Sequence, residues 1–196
     1  MLQTAPLLLE TIRIEDGEVH NLIYHQRRMD QSRAALFPHA STLNLADHLD
    51  IPQERGCFRC RVLYAEDIVS IQYLPYKPKP IERLKIVPSN IDYRYKYANR
   101  HALEQLLQEN PHADEIIIEK EGLLTDTTIA NIALFREGKW YTPKTPLLEG
   151  TMRQKLLDEG LLHPKNIASS EIKHYSLVAL MNAMIGFKIL NKFTII

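Results

Sequence analysis

Between residues 7 and 14 the chain passes from an unbroken apolar start, Leu7-Leu-Leu9, into alternation, with Ile12 and Ile14 on one side and Thr11 and Arg13 on the other. A period of two predicts a β-strand. Glu15-Asp-Gly17 supplies turn chemistry, so residues 18–21 are expected to return as a second strand of a hairpin. Residues 24–37 lack Gly and Pro and are rich in helix formers, which predicts a helix ended by Pro38. Its apolar positions, Met29, Ala34, Leu36 and Phe37, are sparse. Residues 43–49 predict a short second helix, and 59–64 and 68–74 two strands around the turn at 65–67.

Pro75-Tyr-Lys-Pro-Lys-Pro80 fits neither a helix interior nor a central strand. It is the sharpest composition shift in the chain and divides the expected architecture. Residues 1–76 are expected as a small N-terminal α/β domain, 77–80 as a Pro-rich linker, and 81–196 as a larger C-terminal domain. In the latter, 84–87, 115–119 and 132–136 predict strands, and 139–142 pairs back across Glu137-Gly138. Helices are expected at 99–110, stopped by Pro111, at 151–159, closed by Gly160, and at 176–184; residues 187–193 are expected to be extended. The pattern is α+β, with antiparallel hairpins and few helices.

Composition narrows the function. Lys plus Arg and Asp plus Glu are both 24, so the chain lacks the basic excess of a dedicated nucleic-acid binder. No apolar run approaches the roughly 18 residues of a membrane span. No basic segment followed by an apolar one opens the chain, so a cytoplasmic protein is expected. Two cysteines cannot build a disulfide framework. Cys57-Phe-Arg-Cys60 has no second pair to complete a zinc site and leads into a strand, not a helix N-terminus that would activate a thiol. The histidines show no ligand spacing, and no metal site is expected.

The informative stretch runs from residue 93 to residue 153. It holds Tyr95-Lys-Tyr-Ala-Asn-Arg100, then Gly122-Leu-Leu-Thr-Asp-Thr-Thr-Ile-Ala-Asn131, then Trp140-Tyr-Thr-Pro143, then Leu147-Leu-Glu-Gly-Thr-Met-Arg153. Singly each has an ordinary reading: a snorkelling lysine, a turn aspartate, a helix N-cap. In order, together with Leu9-Glu-Thr-Ile-Arg13, His25-Gln-Arg-Arg28-Met29 and Asn182-Ala-Met184, they resemble the class IV aminotransferases, the fold type IV pyridoxal-phosphate enzymes. That group includes branched-chain and D-amino-acid aminotransferases and 4-amino-4-deoxychorismate lyase.

The resemblance implies a D-amino-acid aminotransferase-like fold of two α/β domains, with pyridoxal 5'-phosphate at their junction. It assigns Lys96 as the catalytic lysine, whose amine forms a Schiff base with the cofactor aldehyde. It assigns Asp126, five residues before Asn131, as the carboxylate that keeps the pyridine nitrogen protonated. The family usually carries Glu there, and Asp is one methylene shorter. The phosphate is expected on Arg28 and on backbone N–H groups of Thr151 and Met152 after Gly150, where a helix start favours anions. The resemblance adds Ala183 as a third backbone donor.

Two elements, Lys96-Tyr-Ala-Asn-Arg100 and Asn182-Ala183, resemble the lyase form. His101 and Leu9 stand where the branched-chain and D-amino-acid enzymes carry tyrosines. The favoured reading is therefore a lyase that eliminates pyruvate from aminodeoxychorismate and leaves 4-aminobenzoate, a folate precursor. A class IV aminotransferase of branched-chain or D-amino-acid type, acting on a small amino substrate, is the alternative, and a non-catalytic cofactor-binding relative the second. Family members are usually longer, with homodimeric assembly, so a homodimer is expected. The shortening falls between the Arg28 helix and the linker.

Overall fold

Strand β1 (Leu8–Glu15) sets the plan of the first unit in the computed structural model, which describes residues 5–196. It pairs antiparallel with β2 (Glu18–Val19) and with β3 (Cys57–Tyr64). Strand β4 (Ile68–Pro75) pairs with β3, giving the order β2-β1-β3-β4. Leu8, Ile12 and Ile14 alternate into the core and meet Phe58, Cys60, Val62 and Tyr64 from β3. Cys57 and Cys60, three apart on one strand, face opposite sides of the sheet.

Helix α1 (Leu22–Leu36) packs on β1. Its buried residues, His25, Arg28, Met29, Ser32 and Arg33, follow the three-and-four spacing of one helical face. That face is mostly polar, which is why the apolar pattern of 24–37 is sparse. The expected helix at 43–49 is a single 3₁₀ turn, Leu45–His48.

The chain leaves the first unit at Pro78 and returns to it for Tyr95–Asn99. The expected division placed Lys96 in the C-terminal domain, whereas the backbone contacts group Tyr95–Asn99 with the first unit. Leu9 N–H donates to the Lys96 carbonyl at 3.0 Å, Ala98 N–H donates to the Leu7 carbonyl at 2.8 Å, and Leu8 and Tyr97 form an antiparallel bridge. Tyr95 and Tyr97 pack against the first unit's core. Main-chain pairing with β1 thus binds the lysine segment to the N-terminal sheet.

The second unit comprises Lys79–Arg94 and Arg100–Ile196. Strand β5 (Arg83–Pro88) leads through α2 (His101–Gln108) to β6 (Glu115–Lys120), its parallel neighbour. Then β7 (Leu123–Thr127), β8 (Asn131–Arg136) and β9 (Lys139–Pro143) follow antiparallel. Helix α3 (Thr151–Asp158) crosses to β10 (Leu162–Lys165), parallel to β9. Strand β11 (Leu177–Asn182) pairs with β8 and with β12 (Gly186–Ile189), and β13 (Thr194–Ile195) closes on β5.

The hairpin turns Asp16-Gly17, Glu121-Gly122 and Glu137-Gly138 have positive φ at both residues, the twist that two-residue turns need. The helix expected at 176–184 is strand β11 instead. Val178 and Leu180 enter one core cluster, whereas Ala179 and Met181 enter another. A strand covered on both faces carries a continuous apolar run with no alternation to read. Among the described residues no helix is long and apolar enough to cross a membrane, and no cluster of three or more His, Cys, Asp or Glu could hold a metal ion.

Candidate functional site

In the first unit the polar residues gather beneath α1. Glu10 lies on the core face of β1 between Leu8 and Ile12, fully buried. Its carboxylate accepts from Arg28 Nε at 2.8 Å and Arg28 Nη2 at 2.5 Å, a two-point contact that fixes the guanidinium plane. His25 Nδ1 lies 2.6 Å from Glu10 Oε2, and both side chains are fully buried. Burial works to raise the Glu10 pKa, but Arg28 and the His25 contact outweigh it and hold the group at about 2. Burial pushes the His25 pKa down, against the pull of Glu10, and the charges of Arg28 and Lys96 press the same way. Sequence reasoning named Arg28 and passed over Glu10. The signal was available: a carboxylate at an inward position of an otherwise apolar alternation is too costly without a partner.

Lys96, in this same unit, adopts φ +53°. Of the five described non-glycine residues with positive φ, Asp16, Glu121 and Glu137 precede turn glycines and Asn21 caps α1. Lys96 has no such local cause. Its carbonyl is held by Leu9 N–H, so the β1 edge stabilises a backbone that side chains otherwise avoid.

In the second unit Asp126 and Asn131 face each other as the one paired position between β7 and β8. The five-residue spacing seen in the sequence is thus a tight hairpin. Asn131 Nδ2 donates to Asp126 Oδ1 at 2.7 Å and to the Leu148 carbonyl at 2.8 Å. Leu148 N–H donates to Asp126 Oδ2 at 2.9 Å. Asp126 is buried and makes no ion pair among the described residues; burial pushes its pKa up to about 7, against these hydrogen bonds and the charge of Arg153. Buried Arg153 itself donates to the Pro143 carbonyl at 2.9 Å.

Gly150 is the N-cap of α3, with Thr151 buried and Met152 half-buried in the first turn. A Cβ on Gly150 would overlap Asn131 Oδ1, so the loop before α3 lies directly on the Asp126–Asn131 pair. At the end of β11, Asn182 Oδ1 accepts the N–H groups of Met184 and Ile185 at 2.9 Å each. Among the described residues the Ala183 N–H between them donates no hydrogen bond. Asp126, Asn131, Gly150, Thr151, Met152 and Ala183 are therefore all residues of the second unit, whereas Arg28 and Lys96 belong to the first.

Residues 7–190 match the model of the amino-transferase class IV family, and the chain belongs to that family. A Haemophilus influenzae protein, itself uncharacterized, is 35% identical over 185 residues, covering 91% of this chain and 98% of its own. A Haemophilus somnus crystal structure, provisionally named a 4-amino-4-deoxychorismate lyase, superposes with a TM-score of 0.86 at 35% identity, covering 95% of this chain and 99% of its own. A Mesorhizobium loti structure, provisionally named an amino-acid aminotransferase, shares the fold with a TM-score of 0.79 at 24% identity, covering 97% and 99%. The fold is that of the fold type IV pyridoxal-phosphate enzymes, and the short length is shared with all three of these relatives.

Proposed function

We propose that this chain is a pyridoxal-phosphate enzyme in which Lys96 supplies the reactive amine, Asp126 holds the pyridinium, and Arg28 and the backbone of Thr151, Met152 and Ala183 hold the phosphate. The observation that carries the reading is Asp126, a buried carboxylate with ordered hydrogen-bond partners that makes no ion pair among the described residues. A pyridinium brought beside it would supply a paired positive charge, and each group would stabilise the charged form of the other. The surrounding residues fit the group in two further respects. Gly150 lets the loop before α3 lie directly on the Asn131 side chain, and Ala183 offers an N–H that donates no hydrogen bond among the described residues.

Pyridoxal phosphate when bound supplies an aldehyde for amines and a ring that takes up the electron pair released at a substrate carbon. This chain's residues bind and orient it and move protons. Glu10 holds Arg28 in one plane, so the guanidinium would meet a bound phosphate without reorganising. Asn131 and Leu148 hold one oxygen of Asp126 each and fix the carboxylate in place. Lys96 Nζ is the group suited to take and return the proton at the substrate carbon.

Within this chemistry we favour the lyase reaction on 4-amino-4-deoxychorismate. Its support is the lyase-like Lys96-Tyr-Ala-Asn-Arg100 and Asn182-Ala183 elements, together with the naming of the Haemophilus somnus relative. The test is a paired assay. Incubation with 4-amino-4-deoxychorismate should release 4-aminobenzoate and pyruvate in equal amounts. Amino acids with 2-oxoglutarate should yield no glutamate at a comparable rate. Turnover in the second mixture alone would make the enzyme an aminotransferase.

A further inference from the structure

We propose that Glu115 and Thr128 are positioning residues for Asp126: together they fix the turn at 127–130 that carries the Asp126–Asn131 pair. What the positioned carboxylate meets rests on the cofactor reading above; the fixing itself does not.

The need arises from the sheet. Strands β7 and β8 pair at one position only, so their ladder alone holds the Asp126–Asn131 pair weakly. The turn beyond it closes on itself: Thr127 N–H donates to the Ala130 carbonyl at 2.8 Å, and Thr127 Oγ1 accepts from Ala130 N–H at 3.0 Å. Three side chains from separate stretches of the second unit then grip it from outside. Glu115, at the start of β6, accepts from Thr128 Oγ1 at 2.8 and 2.9 Å and from Thr128 N–H at 3.1 Å. Arg100 Nη2 donates to the Thr128 carbonyl at 2.8 Å. Asn182 Nδ2 donates to the Ile129 carbonyl at 3.0 Å.

Glu115 is the costly member. It is 2% exposed, and burial pushes its pKa up even against these hydrogen bonds. A short hairpin turn needs no buried acid to form. Here the acid joins the turn to the parallel β5–β6 pair, since Leu84 lies opposite Glu115, and so ties the short β7–β8 ladder to a longer one. Thr128 is the single residue through which that tie passes, with its N–H, hydroxyl and carbonyl all engaged. Loss of the tie should loosen the turn and admit water to the Asp126 carboxylate.

The test uses the full chain without cofactor, following the Asp126 side-chain carboxyl by ¹³C NMR through a pH titration, and separately measures pyridoxal phosphate affinity by equilibrium dialysis. In Thr128→Val the Asp126 midpoint should fall by about one pH unit or more as solvent reaches it, and cofactor affinity should weaken roughly tenfold or more. Thr128→Ser restores the hydroxyl and should keep both properties within about twofold or its pH equivalent. Should Thr128→Val fail to fold, Glu115→Gln gives the same comparison. A folded variant with a lowered melting temperature, but wild-type Asp126 titration and wild-type affinity, would reduce Glu115 and Thr128 to a structural role and overturn the proposal. A wild-type chain that binds no pyridoxal phosphate, while the Thr128→Val midpoint still moves, would reject the cofactor reading and leave the positioning role standing.

Discussion

Glu10 shows how a residue can be decisive and easily overlooked. It interrupts the opening apolar run, which reads in sequence as the end of a hydrophobic stretch, yet it is fully buried and faces Arg28 and His25. Removing one partner of a buried ion pair strands the other charge. Glu10→Gln should therefore destabilise the chain by roughly 3–5 kcal/mol, measured by urea unfolding; a loss near zero would mean that Arg28 finds another counter-charge. The pH dependence follows from its lowered pKa. A carboxylate held at about 2, against an ordinary 4.5, stabilises the fold above the higher value and ceases to do so as pH falls through the lower one. Asp126 has the opposite sign. Its raised pKa lets the folded chain keep a proton that the unfolded chain releases, so this contribution is complete below about 4 and lost as pH rises to about 7. In the chain without cofactor, Asp126→Asn should flatten that part of the stability profile; an unchanged slope would place the titration on another group.

At the scale of elements, legibility depended on how many faces each segment buries. Strand β1 and the hairpin at Asp16-Gly17 bury one face and carry turn chemistry, so alternation and composition revealed both. Strand β11 buries both faces and read as a helix, because its apolar run has no period. Helix α1 was found from composition, although its buried stripe is polar and its periodicity therefore silent. The Asp126–Asn131 hairpin was legible as a spacing, but the grip of Glu115, Arg100 and Asn182 on its turn joins residues too far apart in the chain for any local pattern to show. The contact of Gly150 with Asn131 is equally non-local and gives a direct test. Gly150→Ala should displace the Asn131 side chain from Asp126, costing roughly 1–3 kcal/mol of stability and weakening cofactor binding in the same protein. A crystal structure of the variant with the Asn131–Asp126 hydrogen bond intact would contradict this account of why glycine stands there.

For the whole molecule, the comparisons change the meaning of its length. Against the larger members of the family, 196 residues suggest a trimmed enzyme, yet the relatives at 35% identity are spanned to 98% and 99%. If the expected homodimer forms, sedimentation equilibrium should return twice the chain mass of 22.7 kDa; a monomer mass that persists with cofactor present would remove that expectation. In the proposed function Lys96, left-handed and pinned to β1, is the lysine that takes up pyridoxal phosphate. Its most direct test is to incubate the protein with the cofactor, reduce with borohydride, and map the modified peptide by mass spectrometry. A single pyridoxyl group on Lys96, absent in Lys96→Ala, is expected; modification of a different lysine, or none at all, would overturn the assignment of Lys96.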